Sequence, residues 1–208
     1  RYNEETAVNN YYQRVLEGVS PFQVQERALN EFDAFVDVLR SKEIDVVVVD
    51  DTLHPSTPDS VFPNNWISFH QDGRVGLYPM CAENRRLERR PDVLTLLKQE
   101  HHFMIDQVVD FSHYENENLF LEGTGSLLLD RINRIAYAAL SLRTNERILN
   151  DFCEKFQFKP VTFRAYQTVN DKRLPIYHTN VMFCLAETFA VVCAEAIDDV
   201  VERKNLIY

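Results

Sequence analysis

Pro58-Asp59-Ser60-Val61-Phe62-Pro63-Asn64-Asn65-Trp66 is the stretch from which the rest of the chain is read. Its two Pro and two Asn make it a loop by turn chemistry. The β-branched run Ile44 to Val49 leads in, and the alternating run Trp66 to Phe69 leads out. A polar loop held between strands is where a rigid scaffold presents chemistry.

The same arrangement returns twice. Leu121-Glu122-Gly123-Thr124-Gly125 precedes the apolar run Leu127 to Leu129, and Tyr177-His178-Thr179-Asn180 precedes Val181 to Leu185. Glu122 stands 57 residues after Asn65, and His178 another 56 beyond it. A fixed period of this size signals a repeat architecture. The three equivalent loops carry an amide, a carboxylate and an imidazole in turn. Repeats packed around an axis bring those three side chains to one place.

Working outward, the antiparallel hairpin Trp66–His70 and Arg74–Tyr78 turns at Gln71-Asp72-Gly73. Pro91 to Gln99 reads as a helix and Gln107 to Phe111 as a strand. The second unit repeats the order, with strands Ser126–Asp130 and Ile135–Leu140. Its helix, Asn145 to Lys155, carries the stripe Ile148, Leu149, Phe152 and Phe156. The third has strand Pro160–Tyr166, a polar excursion to Pro175, strands Val181–Leu185 and Phe189–Ala194, and a helix starting near Asp198. Upstream, Ser20-Pro21 opens a helix whose core face is Val24, Ala28, Phe32, Phe35 and Leu39. Ile44 to Val49 reads as a buried strand. The fold class expected is α/β, in one domain over 1–208 that holds about three repeat units and is cut short.

Composition narrows the function. A formal charge of −10 over 208 residues weighs against a nucleic-acid or anionic-membrane partner, either of which needs a basic face. Five Gly give no Gly-rich phosphate-binding architecture, and the loop after Glu122 lacks the Lys of a phosphate loop. Cys81, Cys153, Cys184 and Cys193 form no CxxC pair, which points to reduced thiols in a cytoplasm; Cys184 and Cys193, set in apolar runs, read as small core hydrophobes. No apolar run is long enough to cross a membrane, and no His/Cys/Asp cluster has metal-ligand spacing. Neither cofactor nor metal is expected.

At these loops the sequence resembles the guanidino-group-modifying superfamily, the pentein fold, which includes arginine deiminases, dimethylarginine hydrolases and amidinotransferases. The likeness is strongest to the arginine deiminase-related amidinotransferase branch with its citrulline-utilisation hydrolases. It rests on Asn3 to Ala7 with Asn10 and Gln13, on Asp59 to Trp66, on Asn84-Arg85-Arg86 with Glu88 and Arg89, on Leu121 to Ser126, and on Tyr177 to Phe183. The resemblance implies an α/β propeller of five strand-strand-helix-strand units around a pseudo-fivefold axis. It also implies a nucleophilic Cys in the last unit, and none of the four cysteines stands in such a place.

Attack on the central carbon of a guanidinium or ureido group needs a thiolate, a carboxylate to hold the planar group and an imidazole to move protons. By resemblance Glu122 is the carboxylate and His178 the acid/base. Asp59 and Phe62 contact the substrate end, and Arg85 grips the substrate's carboxylate through its planar fork. Asn65 and Asn180 stand where deiminases carry Asp, which favours a neutral ureide such as that of citrulline over a cationic guanidine. For the other arginines of the cluster, Arg86, Arg89 and Arg90, the plain reading is a solvated turn. The expected ligand is a small guanidino or ureido compound, and the expected partner, if any, a second copy of the chain. The same fold also serves as a non-catalytic binding module, and a degenerate truncated relative is a further alternative; Glu122 and His178 in register favour the enzyme.

Overall fold

The computed structural model describes residues 3–10, 18, 20–52 and 54–207. Gln13, quoted for the resemblance, lies outside them. The chain divides into two compact units, Arg1–Val61 and Phe62–Tyr208.

In the first unit, Asn3 caps the short helix α1 (Glu4–Ala7) by accepting from the Glu5 amide at 3.2 Å. Helix α2 (Pro21–Ser41) opens with a capping box: the Gln23 amide donates to the Ser20 hydroxyl, and the Ser20 amide to the Gln23 side chain. The expected face of α2 is corrected. Val36 is the buried side chain, with Val24, Phe32 and Leu39 half-buried, while Ala28 is exposed and Phe35 is 60% exposed. Positions 32, 36 and 39 fall within about 60° of one another at 3.6 residues per turn, and 35 lies about 100° around the helix from Val36. Ile44 to Val49 is a second correction. It joins no ladder among the described residues, and Ile44 is 50% exposed. β-branched residues suit a pleated, half-buried surface, and without a neighbouring strand the preference has nothing to act on.

The second unit follows the repeat. Pro63–Asn65 forms one 3₁₀ turn, then β1 (Ile67–Phe69) and β2 (Arg74–Leu77) pair antiparallel with Ile67 opposite Leu77. A short helix α3 (Glu83–Arg86) and helix α4 (Pro91–Glu100) lead to β3 (Gln107–Asp110), which lies parallel to β2. A single helical turn α5 (Gly123–Ser126) precedes β4 (Leu128–Asp130), which pairs antiparallel with β5 (Ile135–Ala139). After helix α6 (Glu146–Phe156), β6 (Lys159–Phe163) runs parallel to β5. The third passage has a 3₁₀ turn at Thr179–Val181, then β9 (Phe183–Leu185) antiparallel to β10 (Ala190–Val192), then helix α7 (Val200–Ile207). Each period thus gives a helical turn, an antiparallel pair and a helix. The stretch read as a polar excursion is instead a hairpin, β7 (Tyr166–Val169) with β8 (Lys172–Pro175), whose polar faces hid its alternation. The strand read from Ser126 starts two residues later, because Ser126 closes the helical turn.

The main core forms where α6 lies on the first two sheets. Ile148, Leu149, Phe152 and Phe156 are fully buried, as the stripe requires, against Tyr78, Phe111, Leu121 and Leu127. A second cluster gathers Phe163, Ile176, Met182, Phe183 and Ile197. Cys153 belongs to the first core. Cys184 and Cys193 do not behave as expected; both are exposed. Along β9 the burial alternates from Phe183 to Cys184, and the apolar run concealed a two-sided strand.

Candidate active site

Three backbone turns meet because two glycines let them. Gly123 has φ +44°, and a Cβ there would stand 2.2 Å from the Asn64 carbonyl oxygen. At Gly125 a Cβ would come within 2.5 Å of Asn65 Nδ2 and 2.9 Å of His178 Nδ1. Any side chain at either position would force the three loops apart. Buried hydroxyls stitch them further. Thr179 Oγ1 donates to the Ser126 carbonyl at 2.5 Å and accepts from the Ala139 amide at 2.8 Å, while Ser126 Oγ donates to the Arg143 carbonyl at 2.7 Å.

The 57- and 56-residue spacing therefore does converge on one place. Glu122 is fully buried, and its Oε2 lies 2.7 Å from His178 Nε2. Its Oε1 accepts from the Cys81 amide at 3.0 Å. Arg143 Nη1 stands 3.4 Å and Arg85 Nη1 3.9 Å from Oε2. Asn65, 4% exposed, accepts at Oδ1 from Arg85 Nη1 at 2.7 Å. Asn180, in the turn after His178, is exposed, so it does not join this buried group. Phe62 is half exposed as a side chain, and its carbonyl accepts from Arg85 Nη2 at 3.4 Å. In the first unit the buried Asp59 accepts from the Asn3 amide group at 2.8 Å and the Thr6 hydroxyl at 3.0 Å.

Electrostatics fix the protonation states. Burial alone pushes the Glu122 carboxyl up, but the His178 hydrogen bond and charge, with Arg143 and Arg85, outweigh it and hold the group at about 2. Burial lowers His178, with the two arginines adding to it, against the upward pull of Glu122. Arg85, Arg143 and the Cys81 amide also favour an ionised Glu122, and the burial that lowers His178 favours a neutral imidazole beside it. His178 then donates from Nε2 to the carboxylate, which leaves Nδ1 as the open basic nitrogen next to Gly125. Cys81 is the cysteine bonded to this group through its backbone. Burial, then the Glu122 charge, raises its thiol, the reverse of what an attacking thiolate needs. Burial pushes Cys153 up to about 12.

The basic cluster is not a solvated turn. The buried Arg85 fork, expected to grip a substrate carboxylate, is closed on Glu88, with Nε and Nη2 each 2.9 Å from a carboxylate oxygen. Arg89 is bidentate to Glu115 at 2.6 and 2.9 Å, and Arg86 donates to the Met80 carbonyl. Arg90 reaches Asp92. Arg143 was not singled out in the sequence, since a lone Arg in a loop carries no spacing signal. Glu88, three residues after Arg85, was legible as an i,i+3 pair. Among the described residues no group of three or more His, Cys, Asp or Glu side chains is placed to share a metal ion.

A family model for eukaryotic N,N-dimethylarginine dimethylhydrolases matches residues 1–208, the whole chain. The chain belongs to that family. Its motifs thus sit in the guanidino-modifying superfamily that they resemble, and the mixed α/β architecture is the pentein one. Among solved structures, the substrate-bound N-terminal domain of ArgZ, an arginine dihydrolase of the ornithine-ammonia cycle in cyanobacteria, superposes with TM-score 0.63 at 19% identity, over 88% of this chain and 60% of that one. AgrE in a binary complex with L-arginine gives TM-score 0.67 at 20% identity, over 93% of this chain and 27% of the other. A dimethylarginine dimethylaminohydrolase adduct gives 0.56 at 17%, over 80% and 60%. At these identities the likeness carries the fold. The dimethylarginine dimethylhydrolase family member described here spans about 60% of even the single-domain structures it matches. No curated protein matches it.

Proposed function

We propose that the complete protein is a hydrolase of the guanidino or ureido C–N bond of an arginine-like small molecule, acting through a covalent cysteine adduct. The observation that carries this reading is the buried 2.7 Å contact between His178 and Glu122, two side chains 56 residues apart. Glu122, ionised, accepts the N–H groups of the planar substrate and keeps His178 in the tautomer with Nδ1 open. His178 Nδ1 takes the proton of the attacking thiol and passes it to the nitrogen that departs as the C–N bond breaks, then takes a proton from the attacking water and returns it to the sulfur as the C–S bond breaks. In this reading the thiol is that of the last-unit cysteine which the resemblance implies; burial and the Glu122 charge raise the Cys81 thiol, and Cys153 belongs to the core. Four free cysteines suit a reducing cytoplasm.

A neutral ureide such as citrulline is the preferred substrate in this reading. Glu122 already answers to Arg143 and Arg85, so an entering guanidinium finds its counter-charge shared. The test is kcat/KM of the complete protein on citrulline, arginine and N,N-dimethylarginine, with Glu122→Gln and His178→Ala alongside. Both variants should lose at least about 100-fold on every active substrate. Because His178 is pushed below 6.5, the acid limb of kcat/KM belongs below that pH. A tenfold preference for arginine, about 1.4 kcal/mol, would reverse the substrate assignment, and turnover surviving both variants would end the catalytic one.

A further inference from the structure

Arg85 holds two things at once. Its Nε and Nη2 close on Glu88, and its Nη1 donates to Asn65 Oδ1 at 2.7 Å. A guanidinium only donates, so the bond settles which way the Asn65 amide is turned. Oδ1 is committed to Arg85. Nδ2 is left against Gly125, on the spot where that residue has no side chain, and His178 Nδ1 borders the same spot. The donor and the open basic nitrogen thus flank one bare Cα.

We infer that Arg85, braced by Glu88, is a positioning residue that turns the Asn65 amide so that its N–H face meets the substrate beside His178. This rests on the proposed reading that the reacting carbon lies between Glu122 and His178. An N–H pointing inward needs an acceptor. A ureido oxygen provides one, and so does the oxygen of an adding water. A guanidinium is donors on every edge and would set N–H against N–H. Specificity for the neutral group is then a property of the buried Arg85–Glu88 pair acting through Asn65, with no charge of its own presented to the substrate.

The experiment uses Arg85→Lys and Glu88→Gln in the complete protein, assayed on citrulline and on the same ureide lacking the α-carboxylate. A point charge on a flexible stem cannot replace the fork, and Glu88→Gln weakens the brace while keeping its shape. Both variants should lower kcat about 100-fold, with KM little changed and the preference for the carboxylated ureide intact. If Arg85→Lys instead raises KM for citrulline alone and erases that preference, Arg85 binds the substrate's carboxylate and the inference is overturned. A urea-unfolding cycle of Arg85→Gln with Asn65→Ala reads the link without any turnover. The two changes should be non-additive, because either one breaks the same bond; additivity would also overturn the inference. A parent inactive on every guanidine and ureide, with the cycle still coupled, would remove the proposed function and its substrate class while the positioning bond stands.

Discussion

At the scale of single residues, burial decides which charges the protein keeps. His70 follows β1 with its ring tilted 34° against Phe156, centroids 4.2 Å apart, and Nε2 2.9 Å from the Ser68 hydroxyl. Arg131 Nη1 lies 3.5 Å from Nδ1, so the neutral ring donates from Nε2 and accepts at Nδ1. Burial, then the Arg131 charge, lowers His70 to about 4, with Asp72 pulling the other way and Arg74 and Arg134 adding to the fall. A base whose folded pKa lies below its unfolded value of 6.5 takes up its proton first in the unfolded chain. Stability from this site is therefore full above pH 6.5 and is lost as pH falls toward 4. Unfolding free energies from urea titrations at pH 7.5 and 5 should differ by on the order of 1–2 kcal/mol in the parent, and by less in His70→Phe. An equal drop in that variant would assign the loss to other groups. Glu122 contributes in a different window: its carboxyl is held near 2, so its share survives down to the ordinary carboxylate range near 4.5 and fades below it.

At the scale of elements, two helices with similar patterns have different standing. Helix α6 presents Phe152 to a core where it stacks on Phe156 at 4.7 Å and meets Phe158 and Tyr78. Phe152→Ala should cost about 3–5 kcal/mol through lost transfer energy and the cavity left behind. Phe35 on α2 is 60% exposed, and Phe35→Ala should change stability by less than about 0.5 kcal/mol. Denaturant midpoints of the two variants give the comparison, and similar losses would mean that α2 is covered in solution. The hairpin β9–β10 poses the complementary case. Cys184 and Val191 are opposite one another, and Val191 and Phe189 are each 61% exposed. Such an apolar face with a free edge favours pairing with a second copy. The weight-average mass of the 208-residue chain should rise with concentration, and Val191→Lys should suppress the rise. A monomer at all concentrations would count against self-association.

For the whole molecule, sequence and tertiary structure divided the work along a physical line. Period, turn chemistry and the α6 stripe were enough to place Asn65, Glu122 and His178 in equivalent loops, because a repeat puts the same local geometry at the same offset. The glycines at 123 and 125 were visible as turn residues; that they are required by close approach of two other loops was not, since nothing local says what a missing Cβ would strike. Burial of Val36 in place of Phe35, exposure of Cys184, and the unpaired run Ile44 to Val49 depend on what stands opposite, which hydropathy does not encode. The same holds for the charges. The sequence offered Arg85 as an open fork and Asn65 as both donor and acceptor. Only the folded chain closed that fork on Glu88 and used up one end of the amide. A one-dimensional pattern carries periodicity and propensity, which are properties of neighbours along the chain. Which hydrogen bonds and ion pairs are already satisfied is set by neighbours in space, and the tertiary structure alone decides those.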